Sequence, residues 1–361
     1  MKPQFKNLII TLAAGVSLAG NLRAAQINLV TVGGNATIKL VQDRIPHILT
    51  GSALTVNSTN SLIFRYTGTL GGKTVQWDWN LTGGAGAILD IANQHPVTLA
   101  DNTSSIPVHA TTITAPETVN IDPSAFTQDI TLVSPVVFVK NAGPNNDLAS
   151  ITNLTQRQAA LLESSGGTLP TAFFGGSTNS NNIPANALYF VGRNSSAAVR
   201  QVADANIYAT GAINYTTNNS GQPILYLDGL GNPSGAGSGS EVVNIVKAIP
   251  NSIGTVAAQD IGTLPTLSYE GVPYSTSNII NGTYPVWGYE RYIYYTPGTS
   301  ALAPSNDQLS LIQALEAAVE DPTFQTTSSL FINKFVSYGA VNSNVQRNIH
   351  VDGGPITSAI Y

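Results

Sequence analysis

Stretches rich in β-branched and aromatic residues alternate along this chain with stretches that carry helix caps and a 3.6-residue apolar period. That alternation confines it to the α/β class. The strand-like runs are Gln26–Val32, Ser61–Tyr66, Thr74–Leu81, Ile130–Lys140, Ala187–Val191, Ile253–Ala257 and Arg291–Tyr295. Ser238-Gly-Ser-Glu241 has the spacing of a capping box, in which a hydroxyl and a carboxylate satisfy each other's end amides. Val242, Ile245, Val246 and Ile249 then recur on one helix face, and Pro250 closes it. Thr155-Gln-Arg-Gln158 and Ser305-Asn-Asp-Gln308 open two more helices in the same way. Asn35 and Ser195 are expected to cap a further pair, each directly after a β-rich run. Strand, polar cap, helix is the order that leaves unpaired N–H groups at the carboxyl edge of a sheet, where open α/β folds hold ligands.

With 361 residues the chain is long enough for two domains. Only 10% of it is charged and 42% is hydrophobic, which excludes a highly charged disordered chain and a coiled coil. It has no cysteine, so disulfides, thiolate metal sites, iron–sulfur clusters, cysteine nucleophiles and cysteine-borne lipid anchors are all excluded. Lys2 and Lys6, the apolar run Leu8–Ala19 and the small residues Ala24 and Ala25 follow the order of a secretory signal peptide, assigned to residues 1–25. The run is short for a membrane span, so no stable membrane insertion is expected after cleavage. Residues 1–25 contain three basic and no acidic side chains, so their removal leaves 12 basic against 20 acidic, net −8. A nucleic-acid partner, which needs a basic stripe, is not expected. A small anion remains compatible, because a helix N-terminus binds anions through its own amides. The expected location is periplasmic or secreted.

No catalytic constellation emerges, and no cofactor or metal is expected. His47, His95, His109 and His350 lack metal-ligand spacing. Neither a Gly-x-Ser-x-Gly elbow nor a Walker loop is present, and no nucleophile–base pair can be named, so the chain is not expected to be an enzyme. Thr82-Gly-Gly-Ala-Gly86 follows a strand and suits either an anion-wrapping nest or a plain turn. The aromatic run from Tyr284 to Tyr295 suits a sugar platform or buried core. Asn-x-Ser/Thr triplets, at Asn35 and Asn57 among others, are what chance supplies in a chain rich in these residues.

The order of several motifs resembles a known family. Val30-Thr-Val-Gly-Gly34-Asn-Ala-Thr37, the Thr82–Gly86 turn, Val137-Phe-Val-Lys-Asn141 and Leu154-Thr-x-x-Gln158 come first. Gly192-Arg-Asn-Ser-Ser-Ala-Ala-Val-Arg200, Ser238-Gly-Ser240 with Ile249-Pro-x-x-Ile-Gly254, and Tyr284-Pro-x-Trp-x-Tyr-Glu290 follow. Together they resemble the solute-binding proteins of phosphate ABC transporters, of the type II periplasmic-binding fold, over roughly residues 26–300. The resemblance implies two α/β lobes joined by two crossing strands near Ile130–Lys140 and Tyr284–Tyr295. Lobe 1 would take residues 26–136 and 284–361, and lobe 2 residues 137–283.

It further implies a small anionic ligand, phosphate or a similar oxyanion, and an ABC permease as partner. The ligand-binding positions would be Asn35, Ala36 and Thr37 at a helix start, Thr82, Gly83 and Gly84 in the glycine turn, Asp101 as acceptor of the phosphate proton, and Arg193, Ser195 and Ser196. The chain departs from the family's Arg-Asp-x-x-Ser-Gly-Thr at Arg193-Asn-Ser-Ser-Ala-Ala, where an acidic residue and a hydroxyl are missing. The alternative function is an exported structural or surface interaction protein that keeps the fold without transport. Low charge, high Asn, Thr and Ser content and the altered Arg193 motif motivate it.

Overall fold

The computed structural model describes residues 25–143, 147–166, 169–176, 187–209, 211, 213–327, 336–337, 345–348, 352–353 and 356–358. The expected signal peptide falls almost wholly outside these residues, and so does His350. Eleven strands form one mixed sheet. They are β1 Gln26–Gly33, β2 Thr50–Val56, β3 Ile63–Leu70, β4 Lys73–Asn80, β5 His109–Thr112, β6 Phe126–Lys140, β7 Leu169–Pro170, β8 Ala187–Val191, β9 Ser252–Ala257, β10 Trp287–Tyr295 and β11 Val336–Ser337. Their order is β7-β8-β9-β6-β10-β5-β1-β4-β3-β2, with β11 also pairing β6.

The helices are α1 Ile38–Ile48, α2 Gly84–Ala92, α3 Gln156–Ser165, α4 Ala198–Ile207, α5 Gly239–Ala248, α6 Thr276–Ile280, α7 Asn306–Glu320 and α8 Pro322–Thr327. No helix among the described residues is long and apolar enough to cross a membrane.

Two long strands run through the middle. The antiparallel β6 pairs with β10 over Phe126–Pro135 and with β9 over Val136–Lys140, so one strand belongs to both halves of the sheet. Each half is a three-layer α/β/α stack. In the first, α1 and α7 cover one face through Leu40, Val41, Ile45, Leu311, Ile312 and Leu315, packed on Leu29, Trp77 and Trp79. The other face takes Ala87, Ile88 and Ile91 of α2 against Val32 and Ala110. In the second half, Val242 and Val246 of α5 pack on Val139, Val191 and Val256. Leu162 of α3 and Val199 and Val202 of α4 pack on Phe138, Leu188 and Ile253 from the opposite side.

The capping boxes at Thr155 and Ser305 form with both reciprocal bonds, and Ser238 Oγ accepts from the Glu241 amide. The other two expected caps are displaced. Asn35–Thr37 is a 3₁₀ turn, α1 begins only at Ile38, and Thr37 donates its hydroxyl to the Gly34 carbonyl. α4 starts at Ala198 with Ala197 as an uncapped N-terminus, three residues beyond Ser195. In both places short glycine- or serine-bearing turns delay the helix.

β2, β5 and the two-residue strands β7 and β11 match none of the strand-like runs expected from the sequence. β2 is an edge strand without a buried face, and β5 is a buried four-residue strand. The aromatic run is core: Tyr284, Trp287, Tyr289 and Tyr292 are all buried, and the Tyr284 hydroxyl donates to the Val136 carbonyl at 2.8 Å.

Candidate functional site

β1 runs parallel to both β4 and β5, so all three carboxyl ends open on one edge of the sheet. The turns after β1 and β4 are therefore neighbours, and the Gly83 amide donates to the Gly33 carbonyl at 3.1 Å. From the other half, β8 ends at Val191 and delivers the turn Gly192–Ala197 to the same place. Gly34, Asn35, Thr82, Gly83, Gly84, Arg193, Asn194, Ser196, Ala197, Ala198 and Val199 line one cavity there. Six of the ten residues expected at the site are thus brought together: Asn35, Thr82, Gly83, Gly84, Arg193 and Ser196. The amides of Asn35, Gly84, Ala198 and Val199 have no acceptor among the described residues. The partial positive charge of α2 and of α4 is therefore directed at this space.

Arg193 is the only cation of the lining among the described residues, and it is 6% exposed. Its Nε donates to the Ala236 carbonyl at 3.0 Å and its Nη2 to the Gly237 carbonyl at 2.8 Å, while Nη1 makes no bond among the described residues. Neither does a carboxylate lie within ion-pairing distance among those residues. Burial lowers its pKa, and the more distant charges of Asp260 and Glu241 oppose that shift. Asp260 sits against the start of α5, where a Cβ built on Gly239 would lie 2.1 Å from its Oδ2. The Ser238-Gly-Ser240 helix start is thereby faced by the protein's own carboxylate and takes no part in the cavity.

The cavity encloses about 20 Å³, room for one water-sized guest. The reason lies in a direct contact between the halves: the Ala85 amide, in the first turn of α2, donates to the Ser196 carbonyl at 3.2 Å. Gly84 makes that approach possible, since a Cβ there would come within 2.7 Å of Ala198 Cβ.

Three expected residues, Thr37, Asp101 and Ser195, do not line this space. Asp101 lies in the turn after Leu99, where its Oδ1 accepts from the Thr103 amide and hydroxyl and its Oδ2 pairs with Arg65 at 3.0 Å. These bonds, the Thr103 hydroxyl foremost, hold its pKa at about 2. Arg65 is held there because β3 register sets it opposite Asp78, to which it is bonded at 2.8 Å. Thr37 spends its hydroxyl inside its own turn and Ser195 is not among the lining residues, while the Ala36 side chain lies outside what the structure describes. Gly34, Asn194 and Ala197–Val199 were missed by sequence reasoning. The displaced start of α4 accounts for most of them, and Asn194 had a signal in its place beside Arg193.

No protein-family model and no curated protein matches the chain. Solved structures do. A protein described as a phosphate ABC transporter substrate-binding protein, solved with bound phosphate, from Clostridium perfringens aligns at TM-score 0.52 and 9% identity, over 86% of this chain and 99% of that one. The fold is that of the two-lobed periplasmic-binding proteins. An ABC-type phosphate transport receptor from Vibrio cholerae aligns at TM-score 0.48 and 11% identity, over 83% of this chain and 97% of its own. A tungstate-binding protein from Desulfovibrio alaskensis aligns at 0.44 and 11%, over 86% and 98%. β6 is shared by the two halves of the sheet, and the cavity lies where turns from the two halves meet.

Proposed function

We propose that this chain is an exported, non-enzymatic solute-binding protein that holds a small oxyanion, phosphate or one similar to it, between its lobes for an ABC permease. Residues 1–25 are the signal peptide, residues 26–136 and 284–361 form lobe 1, and residues 137–283 form lobe 2. The observation that carries the reading is the meeting of α2, α4 and the turn before α1 around one cavity that also holds Arg193. Amide dipoles fixed in place stabilise negative charge without reorganising, and closure around the guest removes water that would screen them. An oxyanion enters by displacing the Ser196 carbonyl from the Ala85 amide, so capture requires the lobes to part first. The similarity to a phosphate-bound two-lobed structure supports the same reading at the level of fold.

The test is calorimetry and thermal denaturation of the mature chain with phosphate, sulfate and tungstate. An anion at 100 times its Kd adds about 2.7 kcal/mol of stability. Absence of heat and of any stabilisation with all three rejects the reading. A second reading has a specific observation in its favour: the 20 Å³ space and the Ala85–Ser196 bond describe lobes already satisfied by each other. On that reading the chain is an exported structural or surface protein, and its thermal stability is indifferent to every small anion.

A further inference from the structure

None of the polar groups lining the cavity, among the described residues, carries a negative charge. Backbone amides, the Arg193 guanidinium and the neutral side chains of Asn35, Thr82, Asn194 and Ser196 make up its polar lining, with no carboxylate among the lining residues. The carboxylates of the surroundings are engaged elsewhere. Asp101 pairs with Arg65 away from the cavity. Glu241 accepts from the Tyr226 hydroxyl and the Gly237 amide, and Asp260 sits against the start of α5. Arg193 supplies an observation independent of the helix ends: a buried cation, bonded only to two carbonyls, with Nη1 unbonded and no counter-ion within ion-pairing distance among the described residues.

A site distinguishes a protonated tetrahedral anion from an unprotonated one of the same shape by presenting an ionised acceptor, which receives the proton of the first and repels the second. Hydroxyl and amide oxygens accept a proton without that repulsion. We infer that the cavity selects for shape and charge and not for a proton on the ligand, so that fully deprotonated tetrahedral oxyanions such as sulfate and tungstate are ligands on a par with phosphate. This rests on the oxyanion reading above and specifies its ligand class. The residue that decides it is Asn194, whose Oδ1 accepts from the Ser196 hydroxyl at 2.9 Å at the cavity wall.

Competition calorimetry with sulfate, tungstate and phosphate at neutral pH tests this on the wild-type protein and on Asn194→Asp. The substitution keeps the acceptor for Ser196 and adds one charge. The expected result is that wild-type Kd values for sulfate and phosphate agree within about tenfold, and that Asn194→Asp weakens sulfate relative to phosphate by about tenfold or more. Phosphate bound about 100-fold more tightly than sulfate by the wild type overturns the inference and leaves the oxyanion reading standing. An unchanged sulfate-to-phosphate ratio in Asn194→Asp, with both anions bound, also overturns it. Binding of none of the three anions overturns the oxyanion reading itself.

Discussion

Arg193 and Gly84 show how single residues set the site. Arg193 holds the loop before α5 through its Nε and Nη2 bonds and also lines the cavity, so one side chain serves both architecture and charge. Arg193→Lys keeps the charge but loses the planar fork that reaches two carbonyls at once. It is expected to weaken oxyanion binding at least about tenfold and to lower Tm, both measurable on one purified sample. Gly84 is a point of close approach between α2 and α4. In Gly84→Ala the added methyl must push α4 away from α2, because its nearest neighbour is the Cβ of Ala198, which has no rotamer to escape into. The Ala85–Ser196 bond is then lost, and small-angle scattering should report a more open molecule. An unaltered scattering profile would contradict this account of closure. Asp101 was the least legible of the proposed positions: its sequence neighbourhood is a turn, and only the pairing of β3 with β4 shows that Arg65 takes its carboxylate.

At the scale of elements, capping chemistry was the most transferable signal. The boxes at Thr155 and Ser305 form as the spacing indicates because both partners lie within four residues, so no tertiary information is needed. Gln308 does more than its local role: its Nε2 also donates to the Asn28 carbonyl at 2.6 Å and ties the start of α7 to β1. Ser305→Ala is expected to cost about 1 kcal/mol by urea denaturation. Anion affinity should stay unchanged, since α7 lies outside the cavity. The starts of α1 and α4 were misplaced for a physical reason: Asn35 and Ser195 have capping side chains, yet the turns they sit in are held by Gly34 and Asn194 carbonyl bonds that postpone the helix. β2 was invisible because an exposed edge strand has no buried alternation to read.

At the scale of the whole molecule, one cluster of buried charge lies on the central strand β10. Arg291 of β10 is fully buried and pairs at 3.2 Å with Asp352, whose other oxygen accepts from the Ala115 amide and the Thr118 hydroxyl. Asp352→Ala strips a counter-ion from a buried guanidinium and is expected to destabilise by about 3–5 kcal/mol in chemical denaturation. Beside it, Glu290 accepts from Thr111 at 2.5 Å, and burial raises its pKa from 4.5 to about 7. The folded state therefore holds this proton more tightly than the unfolded chain. Its stabilising contribution is complete below pH 4.5 and is lost as pH rises through about 7. His109 acts in the opposite sense: burial lowers its pKa from 6.5 to about 3, so its contribution is present above pH 6.5 and lost as pH falls through about 3. Glu290→Gln should therefore be more stable than wild type at about pH 8, by on the order of 3 kcal/mol in chemical denaturation, with the gap closing below pH 4.5.

The amino-acid sequence by itself determined the α/β class, three helix starts, the crossing strands and the glycine- and serine-bearing turns that hold most of the cavity. All of these are written in interactions spanning a few residues or in the period of apolar side chains. Tertiary structure alone decided which turns face each other, that Asp101 is diverted to Arg65, that Asp260 sits against the start of α5, and that the Ser196 carbonyl meets the Ala85 amide. Those outcomes depend on strand order and register, which bring together residues tens to more than a hundred positions apart. Local chemistry carries no record of which distant partner will reach a donor first.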